Sequence, residues 1–190
     1  MEYILIIISA ILVNNVVLTQ FLGICPFLGV SKKISTAAGM GMAVTFVLTL
    51  STICTYLCYA YVLKPLGIEF LQVILYILII ASLSQMVEII LKKISPPLFQ
   101  ALGVFLPLMS TNCVILGTAL LVILKEYNLV KSVVYSATTG FGFFLAIVIF
   151  AGIREHMEFA AIPKAMQGVP ITLVTAGLLA MAFMGFAGIV

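Results

Sequence analysis

The sequence predicts an all-α membrane protein, a polytopic bundle of six transmembrane helices with almost nothing outside the bilayer. Three observations predict it. Of 190 residues, 64% are apolar and only 8% are charged, with a mean hydropathy of +1.35. A soluble domain carries roughly 25% charged residues, because its surface has to stay solvated. The apolar residues also gather into runs of about 20, the length that crosses a bilayer as helix. Basic residues mark the ends of those runs. The net charge of +3 is too small and too scattered to suggest a nucleic-acid partner.

The spans are expected in this order. The first runs from Tyr3 to Leu22. Glu2 stands where a secretory leader needs a basic start, and no small-residue cleavage site follows, so the run is expected to stay as a span. The second runs from Thr36 to Val62 and stops at Lys64-Pro65. The third, Phe70 to Leu91, stops at Lys92-Lys93. The fourth, Leu98 to Leu124, has Pro107 inside it. The fifth, Lys131 to Ile153, stops at Arg154-Glu155, and the sixth runs from Val169 to Val190.

Orientation follows from the placement of lysine and arginine. The links after spans one, three and five hold Lys32, Lys33, Lys92, Lys93, Arg154 and Lys164. The links after spans two and four hold Lys64, Lys125 and Lys131. The split of six against three makes the first set cytoplasmic and puts both termini on the outer side.

The single membrane domain, residues 1–190, reads as two repeats, 1–95 and 96–190. Cys25-Pro26-Phe27-Leu28-Gly29 and Cys113-Val114-Ile115-Leu116-Gly117 share Cys-x-x-Leu-Gly. Gly39-Met40-Gly41-Met42 and Gly140-Phe141-Gly142-Phe143 follow in the same order. Three spans per half would invert the second half relative to the first, a 3+3 inverted-topology repeat.

Spans one and four are the unusual ones. The first carries Asn14, Asn15, Thr19 and Gln20, then Gly23, Cys25 and Pro26. The fourth carries Gly103 and Pro107, then Ser110, Thr111, Asn112 and Cys113. Polar groups in hydrocarbon need partners inside the protein, and interruptions at matching places in two halves point to a site between them. An unbroken helix would put Cys25 roughly 33 Å along span one and Cys113 roughly 22 Å along span four. The two thiols can share a site only if both helices break, and Pro26 and Pro107 are the expected places.

Two thiols do not complete a metal centre. Zinc takes four ligands and iron–sulfur clusters usually take four cysteines. Cys54 and Cys58, on one helix face at i,i+4, could complete the set, or a second subunit could. The second route is preferred, because Cys54 and Cys58 sit in an uninterrupted span and have no counterpart in the other half. They read as small hydrophobes. For Cys25 and Cys113 the pattern alone leaves both readings open. Glu88, one turn before Lys92, reads as an interfacial ion pair. Arg154, Glu155 and Glu158 read as a solvated helix end.

At these residues a resemblance becomes visible. Asn14-Asn15-Val16-Val17-Leu18 leading into Phe21-Leu22-Gly23-Ile24-Cys25-Pro26-Phe27-Leu28-Gly29-Val30-Ser31-Lys32-Lys33 closely resembles the A subunits of Rnf complexes. So do Leu102-Gly103-Val104-Phe105-Leu106-Pro107-Leu108 with Thr111-Asn112-Cys113, and Ala151-Gly152-Ile153-Arg154-Glu155. The C-terminal Ile171 to Leu178 and Ala182 to Phe186 also fit, so the resemblance covers the whole chain. The homologous subunit of sodium-translocating NADH:quinone reductases is similar.

The resemblance implies an electron-transfer subunit of a ferredoxin:NAD oxidoreductase that moves sodium or protons across a bacterial cytoplasmic membrane. It implies a paralogous E subunit of opposite topology as partner, alongside flavin-, ferredoxin- and NAD-linked subunits. It implies an intramembrane [2Fe–2S] cluster shared between the two, with Cys25 and Cys113 matching the ligand positions and Cys54 and Cys58 outside the motif. Thr111, Asn112 and backbone N–H groups near Gly23 and Gly29 are then candidate donors to the sulfurs. No Gly-rich phosphate loop follows a strand, so no nucleotide site of its own is expected. The rival reading is a small inverted-repeat transporter or channel with no redox centre. It uses the polar groups of spans one and four for substrate and leaves the cysteines incidental.

Overall fold

The structure, a computed structural model, describes residues 2–94, 96–103, 107–159, 163 and 166–185. Residues 104–106 of the fourth expected span, Lys164 in the charge count and residues 186–190 of the sixth lie outside the described residues. All regular structure among the described residues is helical.

Three stretches are continuous helices long and apolar enough to cross a membrane: Ile34–Leu63, Gln72–Ile94 and Leu129–Met157. They correspond to expected spans two, three and five. The remaining apolar sequence forms shorter pieces. Helix α1 (Glu2–Ile8) widens into a π turn over Ser9–Val13, and α2 (Val16–Gln20) and α3 (Ile24–Val30) follow. Helix α4 (Ile34–Cys58) runs on through Tyr59–Leu63 into the short α5 (Lys64–Leu66), which Gly67 ends. Helix α6 (Gln72–Ile94) comes next. The sequence of the expected fourth span forms α7 (Pro96–Leu102), α8 (Pro107–Ser110) and α9 (Cys113–Leu124). The chain closes with α10 (Leu129–Met157) and α11 (Val169–Met184).

The core is the pair α4 and α10. Gly41 lies against Phe144 and Gly140 lies against Thr45. Position rises along one helix as it falls along the other, so the two run antiparallel. A Cβ on Gly140 would sit 2.9 Å from the Thr45 Cα, closer than side-chain atoms approach backbone, so absence of a side chain sets the spacing here. Val44, Val47 and Leu48 from α4 and Phe143, Ala146, Ile147 and Phe150 from α10 fill the contact.

Hydroxyls are also buried here: Thr52 and Thr55 on α4, Thr139 on α10. Each donates to the carbonyl four residues earlier at 2.8 Å. A hydroxyl satisfied by its own helix can enter an apolar interface without a partner on the neighbour. Around the central pair, α9 and α6 pack on α4, while α1 and α2 pack on α10, with α11 against α2. Helix α6 turns Ile74, Ile77, Leu78 and Ile89 outward, and α11 turns Leu173, Leu178 and Met181 outward.

Candidate functional site

The first break is built by polar side chains and left-handed residues. The Asn14 N–H reaches back to the Ser9 carbonyl at 2.6 Å and closes the π turn. Asn15 leaves the helical conformation and becomes the N-cap of α2, its Oδ1 accepting from the Val17 N–H at 3.1 Å. Phe21, at φ 54°, ends α2, and Gly23, at φ 78°, starts α3. Cys25 is the second residue of α3 and Pro26 the third. Pro26 is therefore not the break that the sequence points to. It lies in the first helical turn, where a missing N–H removes no intrahelical bond.

The second break repeats the device. Gly103, at φ 36°, follows α7, and Pro107 opens α8. Asn112 then caps α9, its Oδ1 accepting from the Val114 N–H at 3.1 Å. Cys113 is the first residue of α9.

The two breaks meet. The Gly23 N–H donates to Cys113 Sγ at 2.9 Å. A Cβ on Gly23 would stand 2.5 Å from Val114 Cγ2 and 3.1 Å from Phe143 Cε2. Glycine is therefore required twice at position 23, for its left-handed backbone and for this close approach. Next door, Leu22 Cδ1 lies 2.7 Å from where a Gly117 Cβ would be. Two peptide units separate Gly23 from Cys25, so their Cα atoms are within about 7.6 Å of each other. Cys25 is exposed and Cys113 half-buried. Both stand in the first turn of a helix, where unpaired N–H groups place partial positive charge beside each sulfur.

The two cap asparagines differ in one respect. Asn15 Nδ2 donates to the Gly142 carbonyl at 3.0 Å and the Ile11 carbonyl at 3.2 Å. Asn112 Nδ2 is buried with no partner among the described residues. Asn15→Ala removes a cap and the tie to α10. Loss of a cap alone costs about 1 kcal/mol, and the vacated Gly142 carbonyl adds to it. Denaturation in detergent is expected to show Asn15→Ala clearly less stable than Asn14→Ala. The exposed Asn14 side chain bonds only Ser9 Oγ among the described residues.

The other expected residues fall as follows. Thr111 Oγ1 turns back to the Pro107 carbonyl at 3.4 Å and stays exposed. Gly29 is the sixth residue of α3, where the N–H belongs to the helix's own bonding pattern. Cys54 and Cys58 are half-buried on α4, and among the described residues no three His, Cys, Asp or Glu side chains gather in a metal-binding group. No ion pair forms at Glu88 among the described residues. Lys92 Nζ instead lies 5.7 Å from the Phe99 ring centroid.

Two residues carry more than the sequence suggests. Asn15 holds both a helix start and an interhelical bond. An asparagine directly before an apolar run is an N-cap signal, and it occurs in both breaks. Arg154 is not a solvated helix end: its Nη1 donates to the Leu28 carbonyl at 2.7 Å and to Ser31 Oγ at 3.0 Å.

Comparison with known proteins gives a consistent result. The family described as Rnf-Nqr subunit, membrane protein, matches residues 3–190. The A component of the Na(+)-translocating ferredoxin:NAD(+) oxidoreductase complex of Acetobacterium woodii is 57% identical over 188 residues, covering 99% of this chain and 98% of that protein. The A component of the ion-translocating oxidoreductase complex of Syntrophotalea carbinolica is 55% identical, covering 98% and 96%. The Vibrio cholerae protein of the same description is 50% identical, covering 100% and 98%. The chain therefore belongs to the Rnf-Nqr family of membrane-protein subunits.

Proposed function

We propose that this chain is the membrane electron-transfer subunit of an ion-translocating ferredoxin:NAD oxidoreductase. In this reading Cys25 and Cys113 are two of the four ligands of a [2Fe–2S] cluster, and a paralogous subunit supplies the other two. The observation that carries it is the meeting of the two breaks, where the Gly23 N–H reaches Cys113 Sγ. The donor set fits half of such a group. Two thiols come from one chain, and Cys54 and Cys58 join neither of them in a metal-binding group. Cys25 is exposed, where a second chain can approach it. An N–H already points at one sulfur, and Asn112 Nδ2 is a buried donor with nothing to bond among the described residues. Both features suit sulfur atoms carrying negative charge.

When bound, the group would supply a one-electron relay between the two faces of the membrane. This chain's residues would hold its half of the ligands, with the Gly23 N–H beside Cys113 Sγ and Val114 and Phe143 packed against Gly23. The name of the Acetobacterium woodii relative supplies the ferredoxin:NAD reaction, and that of the Syntrophotalea carbinolica relative the ion-translocating oxidoreductase.

We read the architecture as six spans in a 3+3 inverted repeat, with α1–α2 and α7–α9 as the broken members. The matched caps Asn15 and Asn112 and the antiparallel α4–α10 pair support this. Both termini are assigned to the outer side of the bacterial cytoplasmic membrane. C-terminal reporter fusions test that, and a reporter active in the cytoplasm would overturn it.

The test of function is to purify the complex and the chain alone, and to measure iron and the reduced-state EPR spectrum of each. Iron and signal are expected in the complex and absent from the isolated chain. A cluster retained by the isolated chain would sink the shared site. An intact complex with no intramembrane iron would sink the redox role and favour the transporter reading.

A further inference from the structure

Helix α3 is entered through two left-handed residues, Phe21 and Gly23, is tied at that end by the Gly23 N–H to Cys113 Sγ, and packs on α4 and α8. Its seven residues are too few to be stable without tertiary contacts. Two contacts fasten it to α10. The ring of Phe27 stacks on Phe150 with centroids 4.3 Å apart, and both rings are buried. One turn further along α10, Arg154 Nη1 bonds the carbonyl of Leu28, the residue after Phe27, and the Oγ of Ser31, the C-cap of α3.

The stack, with Pro26 and Val30 buried beside it, holds the middle of the helix. The guanidinium adds a second point of attachment at the carboxyl end, where a cation also complements the helix dipole. With its carboxyl end held as well, the helix keeps the direction in which its amino end presents Cys25. Arg154 also lines a cavity of about 790 Å³ at the ends of α4, α10 and α11, together with Lys32, Lys33, Glu155 and Glu158. Arg154 forms no ion pair with either glutamate among the described residues. Its Nη1 turns instead to α3 and to Ser31, the residue that follows that helix.

We propose that Arg154 is a positioning residue for Cys25, which it orients by clamping the carboxyl end of α3 against α10. The importance of that orientation rests on the ligand role proposed above for Cys25, but the clamp can be tested without any metal.

The first measurement uses the full chain alone in lipid nanodiscs. The alkylation rate of Cys25 by a small maleimide is followed by mass spectrometry, with Cys54, Cys58 and Cys113 as internal references. Arg154→Gln is expected to raise the Cys25 rate about tenfold, as loss of one charge-assisted tie allows local opening, and to leave Cys54 and Cys58 unchanged. Arg154→Lys keeps the charge without the planar fork and is expected to fall between. The second measurement uses the complete complex. Arg154→Gln is expected to shift the reduced-state EPR line shape at unchanged iron content, and Arg154→Lys to restore it in part.

An unchanged Cys25 rate in Arg154→Gln would overturn the proposal. So would equal acceleration of all four thiols, which would mean that Arg154 only holds the chain together. If Arg154→Gln does not assemble, Ser31→Ala removes one acceptor and keeps the arginine. Unchanged Cys25 labelling in both Ser31→Ala and Arg154→Lys would then overturn it. A wild-type complex without iron would defeat the ligand reading and leave the labelling result standing.

Discussion

Cys113→Ser is expected to abolish the reduced-state EPR signal and bring intramembrane iron in the purified complex down to background. Cys25→Ser is expected to do the same, and the double variant Cys54→Ala with Cys58→Ala to leave signal and iron intact. Thiolates are the usual ligands of such clusters, and a serine hydroxyl is a poor substitute for a soft sulfur ligand. In the proposed reading, loss of either ligand then stops electron flow, because about 30 Å of hydrocarbon is too far to cross without an intermediate centre. Membrane assembly should survive, since Cys25 is exposed and Cys113 only half-buried. Retention of the signal in either serine variant would remove that residue from the ligand set. Its loss in the Cys54 and Cys58 double variant would show that the other pair binds the iron.

Gly23→Ala is expected to be the most damaging small substitution near the site. A Cβ there meets Val114 Cγ2 at 2.5 Å, and the backbone is left-handed at φ 78°. The left-handed conformation costs a non-glycine residue roughly 1–2 kcal/mol, and overpacking typically adds about 1–3 kcal/mol. The sum is a large part of the roughly 5–15 kcal/mol that separates folded from unfolded chains. Relief of either strain moves the N–H that bonds Cys113 Sγ. The unfolding midpoint in detergent is therefore expected to fall, together with iron content. Gly23→Ala combined with Val114→Ala separates the two costs. Removing Cγ2 should recover the overpacking part and leave the backbone part. No recovery at all would mean that the clash with Val114 is not what damages the single variant.

The continuous helices are legible from hydropathy and charge to within a few residues. Thr36 to Val62 corresponds to Ile34–Leu63, Phe70 to Leu91 to Gln72–Ile94, and Lys131 to Ile153 to Leu129–Met157. A long apolar run that ends in lysine, proline or arginine leaves the chain few alternatives. The interruptions are legible in kind but not in cause. Proline attracts attention as a helix breaker, yet Pro26 sits in the one turn that tolerates it. The asparagine cap and the left-handed Phe21 and Gly23 make the first break. A capping signal is local and short, and it is easily read as mere polarity inside an apolar run.

The clamp at Arg154 is not legible in the sequence at all. Its acceptor carbonyl, Leu28, is 126 residues away along the chain, and a carbonyl carries no residue-specific signal. The Glu88–Lys92 pair shows the opposite failure. Spacing of i,i+4 permits such a pair, but the same lysine has an aromatic ring within reach, and the fold uses the ring.

Cys25 is exposed on the isolated chain, and this bears on how the protein is made. A chain released into the membrane ahead of its neighbours carries an open thiol at Cys25 and a buried Asn112 Nδ2 with no partner among the described residues. Such a chain is open to oxidants at that thiol, and synthesis in step with the other subunits would shorten the exposure.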